Sequence, residues 1–215
     1  MIIFDQAVAL GLPAFPVRLC PDVCLKCNIC KTPACPHGFK DASSDPGQVR
    51  QLWAQYPGQA IGVPTGEASG FDVLDVDSVK HPEATNWWLS HRQYIPHTRV
   101  HQTGSGGLHL LFQHSDLTRT GNGRLGTGVD VKANGGYIVW WPTHREVLMD
   151  APIAPWPQWL LDRQQPKREF KETYTGEPRS RSMASLTLLG RYRKGSATNL
   201  HIGDCVVPSK QRTKA

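Results

Sequence analysis

Two aspartates spaced two residues apart, Asp75 and Asp77, close the apolar run Phe71-Asp-Val-Leu-Asp-Val-Asp77. Gly62, Pro64, Gly66 and Gly70 precede the run and Ser78, Lys80 and Pro82 follow it, a framing that predicts a central β-strand. Side chains alternate along a strand, so both carboxylates point to one face, with their backbones about 6.6 Å apart. Two carboxylates at the end of a buried strand repel, and one tends to hold a proton. Divalent ions about 3.5–4 Å apart would remove that conflict and could act on a phosphoryl group. A strand that simply ends at a solvated turn would show the same pair.

Three other clusters carry candidate chemistry. Thr103-Gly-Ser-Gly-Gly107 leads into His109. Glycines let backbone amides come close to a phosphate, which makes Ser105, Gly106, Gly107 and His109 candidate nucleotide contacts. A plain hairpin turn with a packed histidine is the simpler alternative. Val129-Asp-Val-Lys132 alternates apolar and charged residues, so Asp130 and Lys132 share a face. They form either an ion pair or, if that face meets the Asp75 strand, a third metal carboxylate and a phosphate contact. Cys20, Cys24, Cys27, Cys30 and Cys35 fall within sixteen residues, with His37 close behind. In a cytosolic chain the spacing Cys24-x2-Cys27-x2-Cys30-x4-Cys35 favours zinc over disulfides. A reduced, loosely ordered loop is the alternative, and five cysteines and a histidine exceed the four ligands zinc needs. Cys205 stands apart.

These groups need a scaffold, and the pattern supplies one. Residues 2–11 predict a short helix and residues 14–19 a strand. Asp45-Pro46 reads as an N-cap and first helical position, opening a helix to about residue 55 with Val49, Leu52 and Trp53 on one face. Strands are expected over 60–63, 98–102 and 108–113. A helix is expected over 82–92, packed through Trp87, Trp88 and Leu89. Residues 129–132 and 137–141, separated by Asn134-Gly-Gly136, read as a hairpin, and residues 155–162 as a closing helix. Strands interleaved with helices predict an α/β or α+β domain.

Composition sets outer bounds. The chain has 215 residues, 39% hydrophobic with seven Trp, enough for a real core. No apolar run approaches the 18 residues of a membrane span. The N-terminus lacks a signal peptide's basic region and long apolar stretch, so a cytoplasmic location is expected. Of the 24 Lys and Arg, 11 fall within residues 166–215 against 4 acidic residues there, so a neutral body carries a basic tail. Such a tail suits a polyanion such as nucleic acid; a solvated, disordered end is the other reading. The division expected is a catalytic domain over 1–165, containing a cysteine-rich loop over 20–37, and a tail over 166–215.

Taken in order, these motifs resemble the N-terminal primase–polymerase domain of plasmid, phage and mobile-element replication proteins, within the archaeo-eukaryotic primase superfamily. The resemblance rests on Asp75-Val-Asp77, Ser105-Gly-Gly-Leu-His109 and Gly128-Val-Asp130, flanked by Gly38-Phe-Lys-Asp-Ala and Ile61-Gly-Val-Pro-Thr-Gly66, and spans residues 4–163. It implies an α+β fold: an RRM-like, mixed or antiparallel catalytic sheet beside a smaller N-terminal α/β unit. It implies template-directed nucleotidyl transfer with Asp75, Asp77 and Asp130 holding Mg²⁺ or Mn²⁺. His109 would contact the triphosphate, helped by Ser105, Gly106, Gly107 and Lys132. Expected partners are a single-stranded DNA template, dNTPs or NTPs and a helicase; a structural Zn²⁺ on Cys24, Cys27, Cys30 and Cys35 fits relatives with cysteine-rich segments. A non-catalytic single-stranded DNA-binding module and a two-metal phosphoesterase or nuclease are the competing functions.

Overall fold

The computed structural model describes residues 3–20 and 29–165, which belong to one unit spanning 1–167. The basic tail, Cys205, Cys24 and Cys27 lie outside the described residues. Among the described residues four α-helices and nine strands follow one another: α1 (Ile3–Leu10), β1 (Phe15–Val17), α2 (Pro46–Gln55), β2 (Ala60–Pro64), β3 (Phe71–Val76), α3 (Pro82–His91), β4 (Val100–Gln102), β5 (Leu108–Gln113), β6 (Gly121–Gly126), β7 (Val129–Lys132), β8 (Tyr137–Val139), β9 (Val147–Met149) and α4 (Gln158–Gln164). The fold is α+β, with a six-stranded sheet in the order β6-β7-β3-β5-β4-β9 and a three-stranded sheet in the order β1-β2-β8. Every pairing within the two sheets is antiparallel.

Strand alternation gives the large sheet two different faces. Leu74 and Val76 join Leu110, Phe112, Val129 and Val131 against Ala84 and Trp87 of α3 and Leu160 and Leu161 of α4. Phe71, Val73 and Leu111 point the other way and meet Ile61, Val63 and Ile138 of the small sheet, with Val49 and Trp53 of α2 beyond. Each large apolar side chain so buried stabilises by about 1.5–3 kcal/mol. The register is therefore tightly held, because a one-residue slip would turn Asp75 into the helix-covered core. Asp72, on the helix side, is fully buried. Its carboxylate accepts from Thr118 Oγ1 at 2.6 Å, His114 Nδ1 at 2.9 Å, the Ser115 amide at 3.1 Å and Trp156 Nε1 at 3.2 Å. That bracket ties the segments after β5 and before α4 to the start of β3.

Local signals behave as physics predicts at α2, where the Asp45 carboxylate caps the Gln48 amide at 2.8 Å and Pro46 opens the helix. Three expectations are corrected. The 129–132/137–141 hairpin does not form: β7 pairs with β3 and β6, and β8 pairs with β2 in the other sheet. The connection between them is pinned to residues 65–67 instead. Thr65 Oγ1 donates to the Ala133 carbonyl at 2.7 Å, the Thr65 amide to the Gly136 carbonyl at 3.1 Å, and the Glu67 amide to Asn134 Oδ1 at 2.9 Å. Strand β8 also stops at Val139, and Trp141 begins a 3-10 turn. Leu89 is not a packing residue, since 53% of it is exposed while Trp87 is buried.

Candidate active site

Register brings the predicted residues together. Asp75 on β3 lies directly opposite His109 on β5 and directly opposite Asp130 on β7. Directly opposed residues share a face, so two carboxylates and an imidazole stand in a row across three adjacent strands. Asp77 follows just past the end of β3, its amide held by the Gly128 carbonyl at 2.9 Å. This row belongs to the face that looks toward the small sheet. Where Phe71 and Val73 fill the gap between sheets, the space is core; where Asp75 and Asp77 replace them, it opens into a cavity of about 380 Å³. That volume is in the range of small-molecule sites. Its polar side includes Asp75, Asp77, Ser105, His109 and Lys132, and its aromatic side Phe39, Tyr137 and Trp141.

The charges in this cavity are strained. Asp75 keeps 23% of its side chain exposed, toward a cavity that is open on one side. Burial pushes its carboxyl up to about 6, with Asp130 and Asp77 adding to the rise and Lys132 and Lys31 opposing it. His109 Nε2 lies 3.7 Å from Asp75 Oδ1, too far for a hydrogen bond. Burial, helped by Lys31 and Lys132, pushes the His109 imidazole down to about 3, so it is neutral near pH 7 and the contact is not an ion pair. Its Nδ1 is buried without a hydrogen-bond partner among the described residues. Lys132 Nζ bonds Asp130 Oδ2 at 3.0 Å and Asn122 Oδ1 at 3.2 Å, and Asp130 Oδ1 accepts from the Gly123 amide at 2.8 Å. Asp77 has a looser cation, Lys80, at 3.8 Å. Among the described residues, no three His, Cys, Asp or Glu are drawn into a ready metal cage.

The glycine loop is closed by its own hydrogen bonds: the Gly106 amide donates to the Thr103 carbonyl at 3.0 Å and the Gly107 amide to Thr103 Oγ1 at 2.9 Å. Gly107 is small for a steric reason: a Cβ there would sit 2.5 Å from the Val76 carbonyl and 3.3 Å from Asp77 Cα. The loop thus presses on the end of β3 and sets where Asp77 stands. Ser105 lines the cavity, its Oγ 3.2 Å from Thr103 Oγ1.

Sequence reasoning passed over Lys31, which also lines the cavity. Nothing local marks it out among the cysteines. Burial lowers its ammonium pKa and nearby Lys80 adds to this, while Asp75, Asp77 and Cys30 pull the other way. Among the described cysteines, the Cys20 amide donates to Cys30 Sγ at 3.4 Å. Cys35 is instead packed in the small-sheet core with Phe15, Val17 and Trp141. Its thiol donates to the Gly38 carbonyl at 3.3 Å, and burial and Asp41 push its pKa up to about 11.

Residues 5–159 match the family described as bifunctional DNA primase/polymerase, N-terminal. The chain belongs to that family. The matched stretch contains every residue of the cavity described above. Membership in the primase/polymerase family gives the chain a DNA primase/polymerase type of function, within a nucleotidyltransferase class of enzyme that acts on DNA and nucleotides. No curated protein matches this primase/polymerase chain. Among its described residues, no helix is long and apolar enough to cross a membrane.

Proposed function

We propose that this cavity carries out template-directed nucleotidyl transfer, joining a 3′-hydroxyl to the α-phosphate of an incoming nucleotide with release of pyrophosphate. One observation carries the reading: Asp75 sits in register between Asp130 and His109, lining a cavity that is also lined by Ser105 and Lys132. Asp75, Asp77 and Asp130 would hold Mg²⁺ or Mn²⁺. The donor set fits a hard cation, because it is all oxygen and because burial, with Asp130 and Asp77 adding to it, penalises the charged form of Asp75, a penalty a bound cation would relieve. Bound divalent ions supply Lewis-acid activation of the hydroxyl and neutralise phosphate charge.

The chain's own groups do the positioning. Lys132 stands between Asp130 and the cavity, ready to exchange its carboxylate partner for phosphate oxygens. His109, neutral and nearly enclosed, offers a ring nitrogen to the triphosphate, and Ser105 a hydroxyl. Such fixed donors stabilise charge that grows on the leaving phosphates. The aromatic wall of Tyr137 and Trp141 provides an apolar surface for the nucleoside. The setting, replication of a plasmid, phage or mobile element, rests on resemblance. For the cysteine segment we keep a structural zinc on Cys24, Cys27, Cys30 and Cys35, of which Cys24 and Cys27 lie outside the described residues.

The test uses purified protein, single-stranded DNA, labelled nucleotides and Mg²⁺ or Mn²⁺, with and without a primer. Chain growth that needs the cation and disappears in Asp75→Ala, while template binding persists, is the expected result. Binding without turnover would favour a DNA-binding module, and loss of labelled ends a phosphoesterase.

A further inference from the structure

Lys31 reaches the cavity from an unusual piece of backbone. It has φ 68°, the only non-glycine among the described residues in the left-handed region. L-residues avoid that conformation, and it persists only where surroundings enforce it. They do so here on both sides. The Lys31 amide donates to the Arg18 carbonyl at 2.8 Å, and the Arg18 amide to the Thr32 carbonyl at 2.9 Å, so residues 31–34 run as a ladder along the free edge of β1. The turn is closed by the Thr32 hydroxyl on the Ile29 carbonyl at 2.6 Å. Tyr137, itself a cavity residue, donates its hydroxyl to the Lys31 carbonyl at 3.1 Å. Glycine or asparagine would satisfy this backbone more easily.

That side chain lies over the Trp141 ring, 5.4 Å from its centre, and shares the cavity with Asp75, Asp77 and His109. A surface lysine would have had its charge hydrated; this one is half-buried and lines a cavity also lined by Asp75 and Asp77, approaching from a different layer than Lys132. We infer that Lys31 is a second cationic contact for the nucleotide's phosphates, delivered into the pocket by residues 29–34 and held there by their turn. The inference rests on the proposed nucleotide site. It gives that segment a direct role in substrate binding, because whatever orders residues 29–34 also sets the place of the ammonium group.

Substitution at this position separates side chain from backbone. Lys31→Gly removes the cation and relieves the left-handed conformation; Lys31→Asn does the same with a residue that tolerates it. Inorganic tripolyphosphate binding is measured by calorimetry on the full chain, alongside nucleotide KM and kcat and thermal melting. Loss of one charged contact to phosphate weakens binding by about 10–100-fold. The expected result is a tripolyphosphate affinity lowered by that factor in both variants, a matching rise in KM with kcat less affected, an unchanged or raised melting temperature, and recovery of most of the affinity in Lys31→Arg. Parent-like tripolyphosphate binding by either folded variant would overturn the inference, leaving Lys31 a lid on Trp141. The binding measurement needs no turnover. A chain that binds tripolyphosphate through Lys31 but incorporates no nucleotide would refute the proposed reaction and not this contact.

Discussion

Replacing Asp75 by Asn should stabilise the metal-free protein while destroying its activity. The carboxyl's ordinary value is 3.8, and burial with two neighbouring acids lifts it to about 6. The attraction of Lys132 and Lys31 is already contained in that net rise. At about 1.36 kcal/mol per pH unit, the ionised carboxylate at neutral pH costs the fold up to about 3 kcal/mol. Screening through the open side of the cavity brings this nearer about 1–2 kcal/mol. For a domain of this size that is a rise of roughly 2–8 °C in melting temperature for Asp75→Asn at pH 8. The sign follows from proton counting. Between about pH 4 and 6 the folded state binds more protons than the unfolded chain, so the parent loses stability as pH rises through that window and is level above it. His101 and His109 act in the opposite sense: both are pushed down to about 3 by burial. Their unfolded forms therefore bind more protons below about 6.5, and stability is lost as pH falls. The difference between variant and parent removes the histidine contribution and leaves the Asp75 step.

The assay is melting or urea denaturation of both proteins from pH 4 to 8 with chelator, then at pH 8 with added Mn²⁺. The difference curve should grow in favour of Asp75→Asn between pH 4 and 6 and then flatten. Added Mn²⁺ should raise the parent's melting temperature, since a ligand of the folded state alone stabilises it, and should do much less for the variant. A variant that melts below the parent at pH 8, or a difference curve flat across the whole range, would refute the reasoning that Asp75 is held under electrostatic strain for a cation's sake.

Two other substitutions probe how the site is held. Gly107→Ala places a Cβ 2.5 Å from the Val76 carbonyl. Backbone there must shift at a cost of about 1–3 kcal/mol, and incorporation should fall at least tenfold with template binding intact, as read by kcat on a primed template. Asp72→Ala strips the shared acceptor from His114, Thr118 and Trp156. Breaking such a buried network should cost about 3–5 kcal/mol, visible as an earlier urea midpoint with an unchanged slope.

What the sequence disclosed follows the range of the forces involved. Helix α2 was legible because Asp45, Pro46 and Gln48 settle its start within four residues. Strand β3 was legible because a run of apolar residues between glycines and a polar break is itself the signal. The false hairpin arose where a good local signal, Asn134-Gly-Gly136, lost to Thr65 and Glu67, some seventy residues away. Strand β6 was not foreseen, since Gly121-Asn-Gly-Arg-Leu-Gly126 has few strand formers and pairs because β7 offers it an edge. Lys31 was invisible for the same reason, as its direction is set by a ladder with β1 and by Tyr137. The site itself divides along this line. Its residue types and their spacing raised the expectation of carboxylate and phosphate chemistry, but spacing alone cannot bring Asp130 to Asp75. That depends on the order β7-β3-β5 and on a register in which Asp75 meets both Asp130 and His109. The apolar alternation of β3 fixes which face its carboxylates occupy, so the strand's core-forming residues are also the ones that aim its chemistry.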